Sequence, residues 1–296
     1  MRSPAVWAAV DAASALNASP PKVRQTNAVA HLTLNRGRVI QQPLPVMPPP
    51  VIVRRMIKRI AMWSGPRNIS TAMMRAFENR VDTRVIDEPL YAHYLVTTGA
   101  PHPGADEVIA AQSTCWRTVT ESLCQSDPAP ATVVYQKHMS HHICGEMDLE
   151  WTTSLSNAFL IREPAAMLAS LAKVLPEVRL ADTGLTHQVE LMRYLRMQGA
   201  APPVIDSRAV LSNPSRALAA LCDALDLPFD TAMLAWPAGP RDSDGVWAPH
   251  WYDAVRASTG FGPYTPYEGH LAPELRPLMA PCQTLYDELA QYKLVI

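Results

Sequence analysis

From residue 56 onward the chain alternates short apolar runs with longer stretches of helical periodicity, and this constrains its fold more than any other feature. Apolar runs over residues 59–63, 84–87, 132–136, 158–161 and 203–206 predict strands. The stretches over 70–79, 106–124, from Pro164 onward, 186–197 and 214–225 predict helices, the last with Asn213 or Ser212 as N-cap ahead of Pro214. Alternation of this kind implies an α/β fold: a mainly parallel sheet with helices on both faces. Ligands of such sheets bind at the C-terminal ends of the strands, so the residues just after each strand are the candidates for function.

Residues 1–55 break the pattern. They hold one acid (Asp11), one aromatic (Trp7) and a proline cluster from Pro43 to Pro50, a composition that buries too little apolar surface to offset ordering entropy. We expect a disordered extension or a start codon assigned upstream of Met56, with one folded domain over 56–296. A transit peptide is the weaker alternative.

The formal net charge of −1 gives no basic field to hold nucleic acid or an anionic membrane, so the expected partner is a small molecule, with a homodimer allowed. No apolar run approaches the roughly 18–20 residues that cross a bilayer, which leads us to expect a cytoplasmic protein. The five cysteines are scattered and form no CxxC pair, which argues against a disulfide frame or a structural zinc site. The group His138, His141, His142 and Cys144 has spacing that suits a metal, but no further ligand is marked; no metal is expected.

The segment Trp63-Ser64-Gly65-Pro66-Arg67-Asn68-Ile69-Ser70-Thr71 joins the first strand to the first helix. It places backbone N–H groups and a helix N-terminus where an anion can sit, with Arg67, Asn68, Ser70 and Thr71 adding donors. An ordinary strand-to-helix turn capped by Asn68 or Ser70 is the plainer reading. Counting from Gly65, Ser70-Thr71 replaces the Gly-Lys of a nucleoside-triphosphate loop, which disfavours a kinase. Further on, the fourth strand ends in Arg162, a helix starts at Pro164, and Ser170 follows eight residues after Arg162. A surface Arg paired with Glu163 is the alternative there.

These two segments resemble the sulfotransferase superfamily. Its loop reads approximately P-[KR]-S-G-[ST]-T: Pro66, Arg67, Ser70 and Thr71 match, while Asn68 stands for Ser and Ile69 for Gly. The resemblance implies a P-loop-type domain in which Gly65 through Thr71 grip the 5′-phosphosulfate of 3′-phosphoadenosine 5′-phosphosulfate (PAPS). By the same resemblance Arg162 and Ser170 hold its 3′-phosphate. It covers most of residues 56–270. Asp87-Glu88-Pro89-Leu90-Tyr91 and residues 245–252 are similar to a narrower branch, some members of which are labelled branched-chain aminotransferase-like. We see no motif for a pyridoxal phosphate lysine.

The resemblance implies a sulfotransferase that moves a sulfuryl group to a hydroxyl or amine of a small acceptor. Arg67 is then the cation at the leaving group, and Lys137 could assist it. Two residues are candidates for the base. Glu88 has an E-P-x-[FY] setting like that of carbohydrate-type members, against a role as helix cap; His138 has a Lys-His setting one residue shorter than the family's K-[ST]-H, against a structural histidine. Trp247, His250 and Trp251 line a pocket or pack in the core, and residues 236–270 read as a lid or binding loop. A protein that holds PAPS or its 3′,5′-bisphosphate without turnover is the alternative function, and a small-molecule kinase the weaker one.

Overall fold

The structure is a computed structural model that describes residues 57–296; the expectation for residues 1–55 lies outside them. The first strand, β1 (Lys58–Ser64), leads into helix α1 (Ser70–Glu78) and strand β2 (Thr83–Asp87). Three helices follow: α2 (Tyr91–Thr98), α3 (Ala105–Ala111) and α4 (Trp116–Gln125). Strands β3 (Val133–Met139) and β4 (Ser156–Ile161) precede helices α5 (Pro164–Leu171) and α6 (Leu185–Met197). Strand β5 (Val204–Asp206) is followed by α7 (Ser207–Ser212) and α8 (Pro214–Ala224). Two short helices, α9 (Ala248–Trp251) and α10 (Asp253–Arg256), and a long one, α11 (Arg276–Ala290), complete the chain.

The five strands form one parallel sheet in the order β2-β3-β1-β4-β5. Because side chains alternate along a strand, each strand feeds two cores. Ile60 and Met62 of β1 and Tyr135 of β3 pack with α1 and α8 on one face. Ala61, Trp63 and Phe159 pack with α5, α6 and α11 on the other. Both faces are therefore covered, and the C-terminal edge is left open at the centre, where β1 lies between β3 and β4.

One local reading is corrected, and two helices, α2 and α11, were not read from the sequence. The helix expected over 106–124 is two, because Gln112 is extended (φ −126, ψ 157). Its side chain accepts from Ala92 N at 3.1 Å and donates to the Glu88 carbonyl at 3.1 Å, so the break secures the turn that carries Glu88. Helix α2 begins two residues after Pro89, in a stretch whose sequence signal is short. Helix α11 has Pro277 in its first turn and Pro281 in its interior, and an interior proline normally argues against a helix. The N-cap of α8 is Asn213, whose side chain accepts from Arg216 N at 3.1 Å.

Candidate active site

Residues from four strand ends meet at the open edge. After β1, the chain turns through Gly65 beneath the 181–184 turn: a Cβ on Gly65 would lie 2.2 Å from the Thr183 carbonyl oxygen, so only glycine fits. Arg67 and Ile69 then adopt positive φ, 62° and 59°. Ile69 is the N-cap of α1 and makes no side-chain cap bond, which sets aside a cap by Asn68 or Ser70. A β-branched residue is costly in the left-handed region, and this is the position where the family pattern carries Gly. The side chain of Ile69 packs against the α1/α8 core.

Arg67, Arg162 and Ser170 come together from three elements. The Arg67 Nε donates to Ser170 Oγ at 3.1 Å, and Arg162 donates to the Arg67 carbonyl at 2.6 Å. Burial pulls both guanidinium pKa values down, and for Arg162 the nearby Arg67 adds to it. Glu163 does not pair with Arg162; it takes Arg208 at 3.2 Å and the Tyr264 hydroxyl at 3.1 Å. A cavity of about 270 Å³ opens beside the two arginines, with Ser70, Thr71 and Phe261 in its wall. Two crowded cations, three hydroxyls and a helix N-terminus make a donor set that suits a phosphate- or sulfate-bearing ligand.

Across the cleft lies a buried ionic cluster. Asp87 ends β2 and pairs in register with Lys137 of β3. The Lys137 ammonium donates to Asp87 Oδ1 at 2.9 Å, to Glu88 Oε1, and to the Tyr252 hydroxyl at 2.7 Å. Its three N–H bonds are thus all taken, which removes it from the leaving group and makes it the anchor of Glu88. The Tyr252 O–H donates to Asp87 at 2.7 Å and accepts from Trp247 Nε1 at 3.1 Å. Glu88 has φ 38° and is not a helix cap: the N-cap of α2 is Leu90, without a side-chain bond. Burial raises the Glu88 pKa, against the pull of Lys137, with Asp87 raising it further. Burial also opposes the charge on Lys137, but the two carboxylates outweigh it and raise its pKa.

His138 is not brought to this cleft. Its ring is 1% exposed, stacks on Trp63 at 4.3 Å, and sets Nε2 3.1 Å from Gln136 Oε1, on the opposite face of the sheet. Burial, with Lys137 second, lowers its pKa to about 3. Among the described residues no group of three or more ligating side chains is placed to hold a metal. Trp247 is core, Trp251 lines the cleft, and His250 is exposed over Gly104.

The chain matches the Sulfotransferase domain family over residues 58–280. It belongs to the sulfotransferase domain family. Two Arabidopsis thaliana proteins are similar in sequence. Branched-chain-amino-acid aminotransferase-like protein 1 is 39% identical over 202 residues, covering 68% of this chain and 36% of that protein. Branched-chain-amino-acid aminotransferase-like protein 2 is 34% identical over 232 residues, covering 78% of this chain and 39% of that protein. The chain therefore spans less than two-fifths of the matched relatives' length. Among solved structures, the sulfotransferase domain of the Synechococcus PCC 7002 olefin synthase shares the fold. It has a TM-score of 0.50 and 14% identity, over 80% of this chain and 95% of that one.

In this sulfotransferase domain, sequence reasoning missed the partners of Glu88. Asp87 stood beside Glu88 in the Asp-Glu-Pro-Leu-Tyr segment but carried no signal of its own. Tyr252 lies in the irregular 236–270 region, 165 residues from Asp87, where no periodicity points to the site. The rest of the cleft is supplied by Tyr91, Tyr94, His102, His141, His142 and Asp182. His141 and His142 are buried; burial takes the His141 pKa to about 3 and that of His142 well below its ordinary value. Among the described residues no helix is long and apolar enough to cross a membrane.

Proposed function

We propose that this sulfotransferase domain uses PAPS as donor and moves its sulfuryl group to a hydroxyl or amine of a small acceptor. The observation that carries this reading is the convergence of Arg67, Arg162 and Ser170 at one end of the cleft, with Glu88 facing the other end. Bound there, PAPS would supply an activated sulfuryl group. The loop Gly65–Thr71 would hold the 5′ end, and Arg162 with Ser170 the 3′-phosphate. Glu88 accepts the acceptor's proton as the acceptor atom bonds to sulfur; Arg67 faces the negative charge that develops on the bridging oxygen as its bond to sulfur breaks.

A domain that binds the 3′,5′-bisphosphate without turnover would need the arginines but not a carboxylate held at the cleft wall, which favours catalysis. Calorimetric titration with the 3′,5′-bisphosphate, ATP and 5′-AMP tests the donor site. Arg162→Ala should weaken the bisphosphate by about ten- to two-hundredfold, the worth of a charge-assisted hydrogen bond, and leave 5′-AMP nearly unchanged. Equal losses would place Arg162 outside the 3′-phosphate site. Transfer of isotopic sulfate from PAPS into an acceptor pool separates turnover from binding alone.

A further inference from the structure

We propose that the inner chamber of the cleft selects an acceptor that carries a positive charge, with Asp182 as its specificity-determining residue. This deepens the reading above and rests on it for the direction of transfer.

The chamber extends from the Arg67 end toward Tyr91, Tyr94, Trp251 and Asp182. Its charges do not cancel. Lys137 is the ammonium of this wall, and its three donors are already divided among Asp87, Glu88 and Tyr252. One ammonium against Asp87 and Glu88 leaves one carboxylate in excess. Asp182 adds another: it forms no ion pair among the described residues, and its carboxylate accepts only the Arg179 backbone N–H, at 2.8 Å on Oδ2. The histidines do not compensate. His102, His141 and His142 all have pKa values lowered, by burial first, and are neutral near pH 7.

Asp182 is held in place by the fold. It lies in the 181–183 turn, and the next residue, Thr183, abuts Gly65 at the start of the loop. The walls around it are aromatic. Tyr91 and Tyr94 each stack on His142 with ring centroids 4.9 Å apart, and His102 meets Trp251 edge-on at 5.8 Å. Aromatic faces together with an unpaired carboxylate attract an ammonium group. An acceptor carboxylate or phosphate would meet the surplus carboxylates of this wall, while Arg67, the other cation of the lining, is bonded to Ser170 and assigned to the donor in the reading above. The chemistry that fits is a small amine bearing the hydroxyl that is sulfated, with the hydroxyl toward Glu88 and the ammonium toward Asp182.

The test is a calorimetric series on the full chain with three probes of similar shape: tyramine, 4-ethylphenol and 3-(4-hydroxyphenyl)propionate, each run with and without saturating 3′,5′-bisphosphate. Tyramine should bind about tenfold more tightly than 4-ethylphenol, the lower end of what a charge-assisted hydrogen bond supports, and the propionate most weakly. Asp182→Asn keeps an acceptor oxygen for Arg179. It should bring tyramine to the level of 4-ethylphenol while leaving bisphosphate affinity unchanged, which also reports that the loop is intact. The proposal is overturned if the neutral or anionic probe equals tyramine, if none of the three binds, or if the preference survives in Asp182→Asn. Failure of the bisphosphate to bind would sink the donor reading alone, and the series without it would still decide the charge preference.

Discussion

Replacing Lys137 with Met separates an anchoring role from a catalytic one. The side chain is 1% exposed, and those of Asp87 and Glu88 are 2% and 11% exposed. Methionine fills much of the lysine's volume but makes none of its three hydrogen bonds, so two adjacent carboxylates are left buried without a cation. Breaking a buried pair in this way costs about 3–5 kcal/mol. The loss should depend on pH in a definite direction. Without the ammonium, the folded-state pKa of the carboxylates rises above the unfolded value of about 4. The folded variant then holds protons that the unfolded chain has released, and its stability falls as pH rises. Urea unfolding of wild type and variant at pH 7.5 and pH 5 should therefore give a large difference at pH 7.5. The gap should narrow on acidification by about 1.4 kcal/mol per pH unit for each carboxylate that is protonated in the folded variant but ionised in the folded wild type. A difference under about 1 kcal/mol, or one that does not change between the two pH values, would refute the anchoring account. Because every donor of Lys137 is committed to the cluster, affinity for the 3′,5′-bisphosphate should be unchanged in the folded fraction.

Two further outcomes follow from the same geometry. Glu88→Gln should lower single-turnover sulfuryl transfer by about 10² to 10⁴, the usual worth of a positioned base, with bisphosphate affinity intact; unchanged transfer would remove Glu88 from the chemistry. The buried neutral histidines should make the fold acid-sensitive. His138 and His141 titrate at about 3 in the fold but near 6.5 when unfolded, so the stability they contribute is present above about pH 6.5 and lost as pH falls toward 3. Between pH 7.5 and 5.5 each should cost about 1.4 kcal/mol in urea unfolding, with His142 adding in the same direction; imidazole NMR signals that titrate near 6.5 in the folded protein would contradict this.

The sheet and the meeting of Arg67, Arg162 and Ser170 were legible because their signals are local. A strand that ends at Ser64 and runs through Gly65-Pro66-Arg67 into Ser70-Thr71 encodes its own turn, and Arg162, just after β4, is brought beside it by strand geometry alone. The acid side was only half legible. Glu88 could be placed at the end of β2, yet what holds it comes from Lys137 on β3, Tyr252 on a segment without periodicity, and Gln112 at a helix break. None of these contacts has a sequence spacing. Helix α11 was hidden by prolines whose cost is met by packing of Cys282, Tyr286 and Leu289 against the sheet, a tertiary effect that outweighs local propensity.

Strand alternation favours one of the two candidate bases. In β3, Lys137 pairs in register with Asp87 while His138 pairs with Trp63 of β1, and successive side chains leave opposite faces of a strand. Lys137 and His138 cannot both face one cleft, and the Asp87 carboxylate fixes which of them does. The missing residue between Lys and His, relative to the family's K-[ST]-H, is therefore the change that turns the imidazole away, into a slot between Trp63 and Trp151. A ring in that slot needs shape more than a proton. His138→Phe keeps a flat ring against Trp63 and gives up the contact with Gln136 Oε1, whose amide still donates to the Leu123 carbonyl at 3.0 Å. The lost hydrogen bond is worth about 1 kcal/mol, or up to about 3 if Gln136 Oε1 is left unsatisfied. Single-turnover transfer in the folded variant should stay within about twofold of wild type, far from the 10² to 10⁴ of a lost base. A hundredfold fall with the fold intact would mean that His138 reaches the acceptor by a rearrangement of β3, and Glu88 would then have to yield its place.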